Sequence, residues 1–251
     1  MLRIAGCAVA LLCAGATSSA LAQVAVTAAS GGGAISADSF GAAWTALTGP
    51  ELDETSRNGS GAFGTGTIVL NAPAGFRFNT AATVTVSVGR ISGSGNSSNQ
   101  INIGAGRGNS NTAAVTATAI TITVTATSGS STLNSLTWSG IQVQPTASCP
   151  LASGAISESG SSSFTMDSAD LGDLAEVAGA SKMYTVLPGQ SFTACGGVSG
   201  TPANQAAGVA FNLSSLVVAD QWGNVNTAYA GSKTISYSGP SGSNSYTTTV
   251  A

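Results

Sequence analysis

Histidine is absent from this chain of 251 residues. That removes a Ser-His-acid triad and the usual zinc and haem ligand sets. Charge is scarce too, with seven basic side chains against ten acidic ones. Arg3 lies in a segment that reads as a removed leader, leaving six against ten. So acidic a balance offers no footprint for nucleic acid or an anionic membrane. Beyond the leader, no apolar run is long enough to span a bilayer. Cys7 and Cys13 would leave with the leader, so only Cys149 and Cys195 remain. Two cysteines in an exported chain most simply form one disulfide, worth about 4 kcal/mol of loop-closure stabilisation in the entropic model. Two free thiols or a link between chains are the alternatives.

What is present begins with export. Met1 and Arg3 start a short basic segment, an apolar run follows from Ala8 to Ala16, and Ala20-Leu21-Ala22 precedes Gln23. That is a cleaved secretory signal over 1–22. Lipid attachment fits less well, because Cys7 comes too early and Cys13 follows the bulky Leu12.

The remainder is strand, turn and glycine. Val84, Val86 and Val88 alternate with Thr and Ser, as do Ile120, Ile122 and Val124 with Thr. Such rows put one face on a core and hydroxyls in solvent. Ile68-Val69-Leu70 reads as an interior strand, and Phe76 and Phe78 resume alternation after the Pro73-Ala74-Gly75 turn. Trp138, Ile141 and Val143 form another run, whose Gly140 predicts a bulge or a close backbone approach. Trp44-Thr45-Ala46-Leu47 reads as a first strand, with a helical turn as the alternative. Residues 93–99 and 104–111 read as soft polar loops.

A second unit is predicted over 177–251, after a first over 23–176. Tyr184 to Leu187, Phe192 to Cys195, Leu216 to Ala219, Ser236-Tyr237 and Tyr246 to Val250 read as strands, and Val209, Phe211 and Leu213 alternate. Asp220-Gln221-Trp222-Gly223-Asn224 is a strong turn signal. Four or five strands fall short of an immunoglobulin-like sandwich, so the second unit is expected to be incomplete, to borrow an edge, or to be a fragment of a longer repeat protein.

Residues 34–38, 44–50, 66–79 and 136–143 resemble modules of large repetitive bacterial surface and extracellular proteins. Residues 218–227, with Tyr229-Ala230-Gly231-Ser232-Lys233, resemble a bacterial immunoglobulin-like or filamin-like module. The resemblance implies an all-β fold: an immunoglobulin-like β-sandwich followed by a second, incomplete one. It implies adhesins, surface stalks or accessory parts of secreted enzymes, with no shared catalytic residues.

Carboxylates are the remaining candidates for chemistry. Glu51 and Asp53 could share a strand face with Glu54 opposite, although an acidic solvated loop after Pro50 is the expected reading. Asp167, Asp170 and Asp173 recur every third residue and could meet Glu176 on calcium, against a plain acidic linker. Gly59 to Gly64 matches a dinucleotide fingerprint, but a strand follows it where a helix is required. Three Asn-x-Ser matches, at Asn58, Asn96 and Asn212, are common by chance in such a composition. Trp44, Trp138 and Trp222 are weighed as sugar platforms: Trp44 and Trp138 are expected in the core, and Trp222, beside Asn224, is the most exposable. The expected role is an exported, non-enzymatic adhesion or structural protein, secreted or on the cell surface. Its partners would be an extracellular protein or glycan, or another copy through β edges, with no cofactor beyond calcium. A carbohydrate-binding module of a secreted system, a carboxylate-only hydrolase and a truncated, non-functional fragment of a larger repeat protein are the rivals.

Overall fold

The computed structural model describes residues 23–56, 62–93, 97–206, 209, 212–229, 231–239 and 242–250. The predicted signal segment, Asn58, residues 59–61 of the glycine motif, Asn96 and Phe211 lie outside them. Twenty-two strands and two 3-10 turns, at Ala37–Ser39 and Ser97–Asn99, make up the regular structure described, with no α-helix among those residues. In chain order the strands are β1 (Gln23–Thr27), β2 (Ile35–Ser36), β3 (Thr45–Ala46), β4 (Glu51–Glu54), β5 (Gly66–Asn71), β6 (Phe76–Phe78), β7 (Thr85–Ser92), β8 (Asn111–Thr112), β9 (Ala114–Val115), β10 (Ala119–Val124) and β11 (Leu133–Ser139). They continue as β12 (Gln142–Pro145), β13 (Ser153–Ala155), β14 (Ser157–Gly160), β15 (Thr165–Met166), β16 (Asp173–Val177), β17 (Lys182–Val186), β18 (Ser191–Thr193), β19 (Gly197–Ser199), β20 (Ser215–Ala219), β21 (Gly231–Gly239) and β22 (Gly242–Val250).

The alternating rows behave as two-residue periodicity demands. Ile68 and Leu70 of β5, and Ile120, Ile122 and Val124 of β10, point into the core from a four-stranded sheet ordered β14-β5-β10-β9. Leu52 of β4, Val86 of β7, and Leu136 and Trp138 of β11 meet the same core from a six-stranded sheet ordered β15-β1-β4-β11-β7-β8. Phe76, Phe78 and Val143 join them from the sheet β3-β12-β6, and Ile35 and Leu174 from β13-β16-β2. Each such side chain contributes about 1.5–3 kcal/mol on leaving water. The result is a sandwich-like β arrangement around one hydrophobic cluster. Every buried member of that cluster lies between Val24 and Leu174.

Gly140 is where the chain leaves β11 in one sheet for β12 in another. Its φ is 81°, and a side chain there would run into the carbonyl of Thr83, so the predicted close approach is present. The bulge itself lies elsewhere, between Leu133 and Asn134, where β11 slips its register against β7. Around Trp44 the strand is β3, preceded by a 3-10 turn that Ser36 caps by accepting from Asp38 N. Leu47 is buried, but Trp44 is only half-buried, contrary to its expected core position. Three positions apart on a strand, the two residues face opposite ways.

After Val177 the described strands pair in twos: β17 with β20, β18 with β19, and β21 with β22. Three ribbons therefore stand where a second sandwich was predicted. Val186, Val218 and Ala219 are buried, while Met183 is 45% exposed on β17. Val209 and Leu213 were expected to alternate inward; they are 65% and 42% exposed and belong to no strand. No ladder among the described strands includes that stretch, so nothing gives it an inner face. No helix among the described residues is long and apolar enough to cross a membrane.

Candidate functional site

The acidic stretch after Pro50 is not a solvated loop. It is β4, hydrogen-bonded between β1 and β11 in the six-stranded sheet. Glu51 and Asp53 share the half-exposed face, and Leu52 and Glu54 the buried one. Burial first, then the charge of Glu51, holds the Asp53 carboxyl above its ordinary value. Glu54 is 1% exposed, and its carboxylate is consumed by structure. Its Oε1 accepts from Ala62 N and Ser128 Oγ, each at 2.8 Å, and its Oε2 accepts from Asn134 N at 2.8 Å. No local pattern announces this hub, because two of its three donors come from 74 and 80 positions further along the chain.

A second polar knot surrounds the disulfide. Cys149 and Cys195 are bonded across 46 positions, as the predicted single intramolecular bridge requires. Beside it, Asp220 is fully buried and closes the predicted turn. Its Oδ1 accepts from Trp222 N and Asn224 N, both at 2.9 Å, and its Oδ2 accepts from Gly179 N at 2.9 Å and Asn224 Nδ2 at 2.8 Å. Burial alone would raise this carboxyl; the Asn224 side chain and the three backbone donors outweigh it and hold it below the ordinary 3.8. Gly223 has a φ of 85° and lies so close to the Cys195 backbone that a Cβ would stand 3.0 Å from its nitrogen. Its carbonyl accepts from Cys195 N at 3.2 Å.

The same knot ties the two parts of the chain together. Asn224 Nδ2 also donates to Ser148 O at 2.7 Å, and Asn224 Oδ1 lies 2.6 Å from the Cys149 sulfur. Asp38, within the first 3-10 turn, accepts from Ala180 N and Gln221 Nε2, each at 2.8 Å. Segment 177–181 therefore has consecutive backbone N–H groups held by two aspartates from opposite sides. Phe40 and Trp222 meet edge to face across the junction, with ring centroids 6.4 Å apart and an interplanar angle of 82°.

The expected site residues are distributed as follows. Trp222 is 37% exposed, as its turn position implied, but its neighbour Asn224 is 4% exposed and committed to the fold. Trp138 is corrected as a sugar platform: at 1% exposure its indole has no face to offer. The calcium grouping is corrected as well. Asp167 Oδ1 accepts from Val26 N at 2.9 Å, and Asp170 Oδ1 from Gly172 N at 2.7 Å. Asp173 is exposed on β16, while Glu176, three positions on and thus on the other face, is 6% exposed. Among the described residues no three His, Cys, Asp or Glu side chains are grouped to hold a metal ion.

Glu176 and Asp220 make a contrasting pair. Burial raises the Glu176 carboxyl above its ordinary 4.5, against the Ala152 N–H that its Oε2 accepts, with the charge of Asp220 raising it further. A depressed acid stabilises the fold above its ordinary value and loses that contribution as pH falls through the folded value. A raised acid carries the opposite sign, and its penalty is relieved as pH falls through the raised folded value towards 4.5. Asp220→Asn is thus expected to cost about 2–3 kcal/mol at pH 7 and to flatten acid unfolding. Glu176→Gln is expected to be neutral or mildly stabilising. Urea titrations across pH 3–7 check both (about that range brackets the ordinary carboxylates), and equal losses in the two variants would refute the distinction.

No protein-family model matches the chain, and none of the curated proteins compared with it matches. Among solved structures it is similar to the crystal structure of the major pilin subunit of Bacillus cereus, at 11% identity and a TM-score of 0.27. The match takes in 91% of this chain and 66% of that one, so the chain spans just under two thirds of the pilin's length, and at this score the likeness carries no argument.

Proposed function

We propose that the protein is exported and non-enzymatic, and serves outside the cell as a structural or adhesive component of a bacterial surface. The observation that carries this reading is the closed Cys149–Cys195 bridge, packed against the Asp220 turn. Disulfides form and persist in oxidising compartments, and the leader at 1–22 supplies the route. The buried acids support the non-enzymatic half of the reading. Glu54 and Asp220 spend their oxygens on backbone and side-chain donors, leaving none to work on a substrate. The chain is read as a core-bearing unit over 23–176 and a ribbon unit over 177–251. Among the described strands β17 has one partner, β20, so its other edge is suited to pairing with another chain.

Fractionation of the cells that make the protein tests this reading. The expected result is protein outside the cytoplasm, beginning at Gln23, with no thiol open to alkylation before reduction. A cytoplasmic protein that retains residues 1–22 and two free thiols would overturn it. Loss of cell attachment or of surface integrity on deletion is the expected phenotype.

A further inference from the structure

The sheet β3-β12-β6 carries a polar face that neither the core nor the junction uses. On β6, Phe76 and Phe78 point inward and leave Arg77 outward. On β12, Val143 points inward and leaves Gln142 and Gln144 on the other side. The register pairs Gln144 with Arg77, and Thr45 with Val143, which sets Trp44 across from Gln144. One row therefore reads Trp44, Gln144, Arg77. The next reads Ala46, Gln142 and Asn79, whose backbone N donates to Gln142 O at 3.0 Å.

Arg77 is positioned from beneath. Gln144 is 1% exposed, and its amide nitrogen is anchored on Ser39 O at 2.7 Å and Ala43 O at 3.3 Å. That fixes its oxygen to accept from Arg77 Nη2 at 2.6 Å and Nε at 3.2 Å. The guanidinium carbon stands 5.4 Å from the centre of the Trp44 ring, within cation–π range. Among the described residues no acceptor is bonded to Nη1 and no carboxylate pairs with this cation, although acids outnumber bases in the chain. Gln142 accepts from Asn79 Nδ2 at 2.7 Å, which turns its own NH2 away from that contact, with no acceptor for it among the described residues. A fixed guanidinium, an amide donor and a half-buried indole thus lie on two adjacent rows.

We propose that this face binds a carboxylated polysaccharide, with Arg77 and Gln142 taking a uronate carboxylate and Trp44 lending apolar area to the pyranose. A positioned cation beside an amide donor suits an anionic acceptor, and a planar guanidinium matches a carboxylate in two-point geometry. The proposal rests on the extracellular reading above only for the place where such a polymer would be met.

The test measures binding of the mature, disulfide-closed protein to polygalacturonate, its methyl ester and dextran. Binding to polygalacturonate alone is expected, weakened at least about tenfold by Arg77→Gln, since one charge-assisted pair is worth that much or more. Gln142→Glu places a negative charge on the exposed side of the face without touching the core, and is expected to abolish binding with the fold intact by circular dichroism. Trp44→Phe is expected to retain part of the affinity. Absence of binding by the unaltered protein, equal binding of the ester or of dextran, or undiminished binding by Gln142→Glu would each overturn the proposal. An exported protein that binds no uronate refutes this site alone. A reduced, cytoplasmic protein refutes the extracellular reading alone.

Discussion

Glu54→Ala is expected to lower stability by about 3–5 kcal/mol, the cost of stripping acceptors from several buried donors at once. The carboxylate is 1% exposed and holds Ala62 N, Ser128 Oγ and Asn134 N. Asn134 passes the order on. Its Oδ1 accepts from Ile101 N, and its Nδ2 donates to Gly89 O, each at 3.0 Å. Three segments therefore converge on one acid at the end of β4, two of them remote in sequence. Glu54→Gln keeps a single carbonyl acceptor and adds a donor with nothing to meet, so an intermediate loss of about 2 kcal/mol is expected. Guanidinium unfolding measures both, and amide exchange at Ala62 and Asn134 reports the local effect. A loss below about 1 kcal/mol for the alanine variant would mean that water replaces the carboxylate and that the hub is dispensable.

Replacing Cys149 and Cys195 together with serine is expected to remove about 4 kcal/mol, the loop-closure value for a separation of 46 residues. The loss should be uneven. The hydrophobic cluster runs from Val24 to Leu174, so 23–176 keeps its core when the bridge is gone. The ribbon of β17 and β20 keeps Asp38, Asp220 and the Phe40–Trp222 contact, but loses the covalent link that holds residue 195 to residue 149. Two unfolding transitions are therefore expected in place of one. Trp222, 37% exposed, should respond in the earlier transition, and Trp138, 1% exposed, in the later. Single-tryptophan variants separate the two signals. A single cooperative transition at an unchanged midpoint would show that the bridge adds nothing to the junction.

The strand rows were legible because their signal is local. A valine or isoleucine at every second position declares an inner and an outer face whatever the partner strand is, and the rows at Val84 to Val88 and Ile120 to Val124 went where that rule sends them. The disulfide was legible by elimination, since the predicted leader would take Cys7 and Cys13 and leave only Cys149 and Cys195. The Asp220 turn was legible as a turn, but the buried carboxylate inside it was not, and Asn224 was mistaken for a ligand group.

What the amino-acid order determined alone, then, is the β class and, as the simplest of the open alternatives, the pairing of two cysteines. Tertiary structure decided which polar groups are spent inside. Glu54 reads as surface charge until Ser128 and Asn134 arrive from 74 and 80 positions away. Asp38 reads as loop until Ala180 and Gln221 reach it across 142 and 183. Trp44 and Trp138 look alike in sequence, yet one lies under a guanidinium and the other in the core. The reason is that periodicity is written between neighbours, whereas the burial of a charge depends on the order of strands within a sheet, and that order joins residues with no local pattern in common.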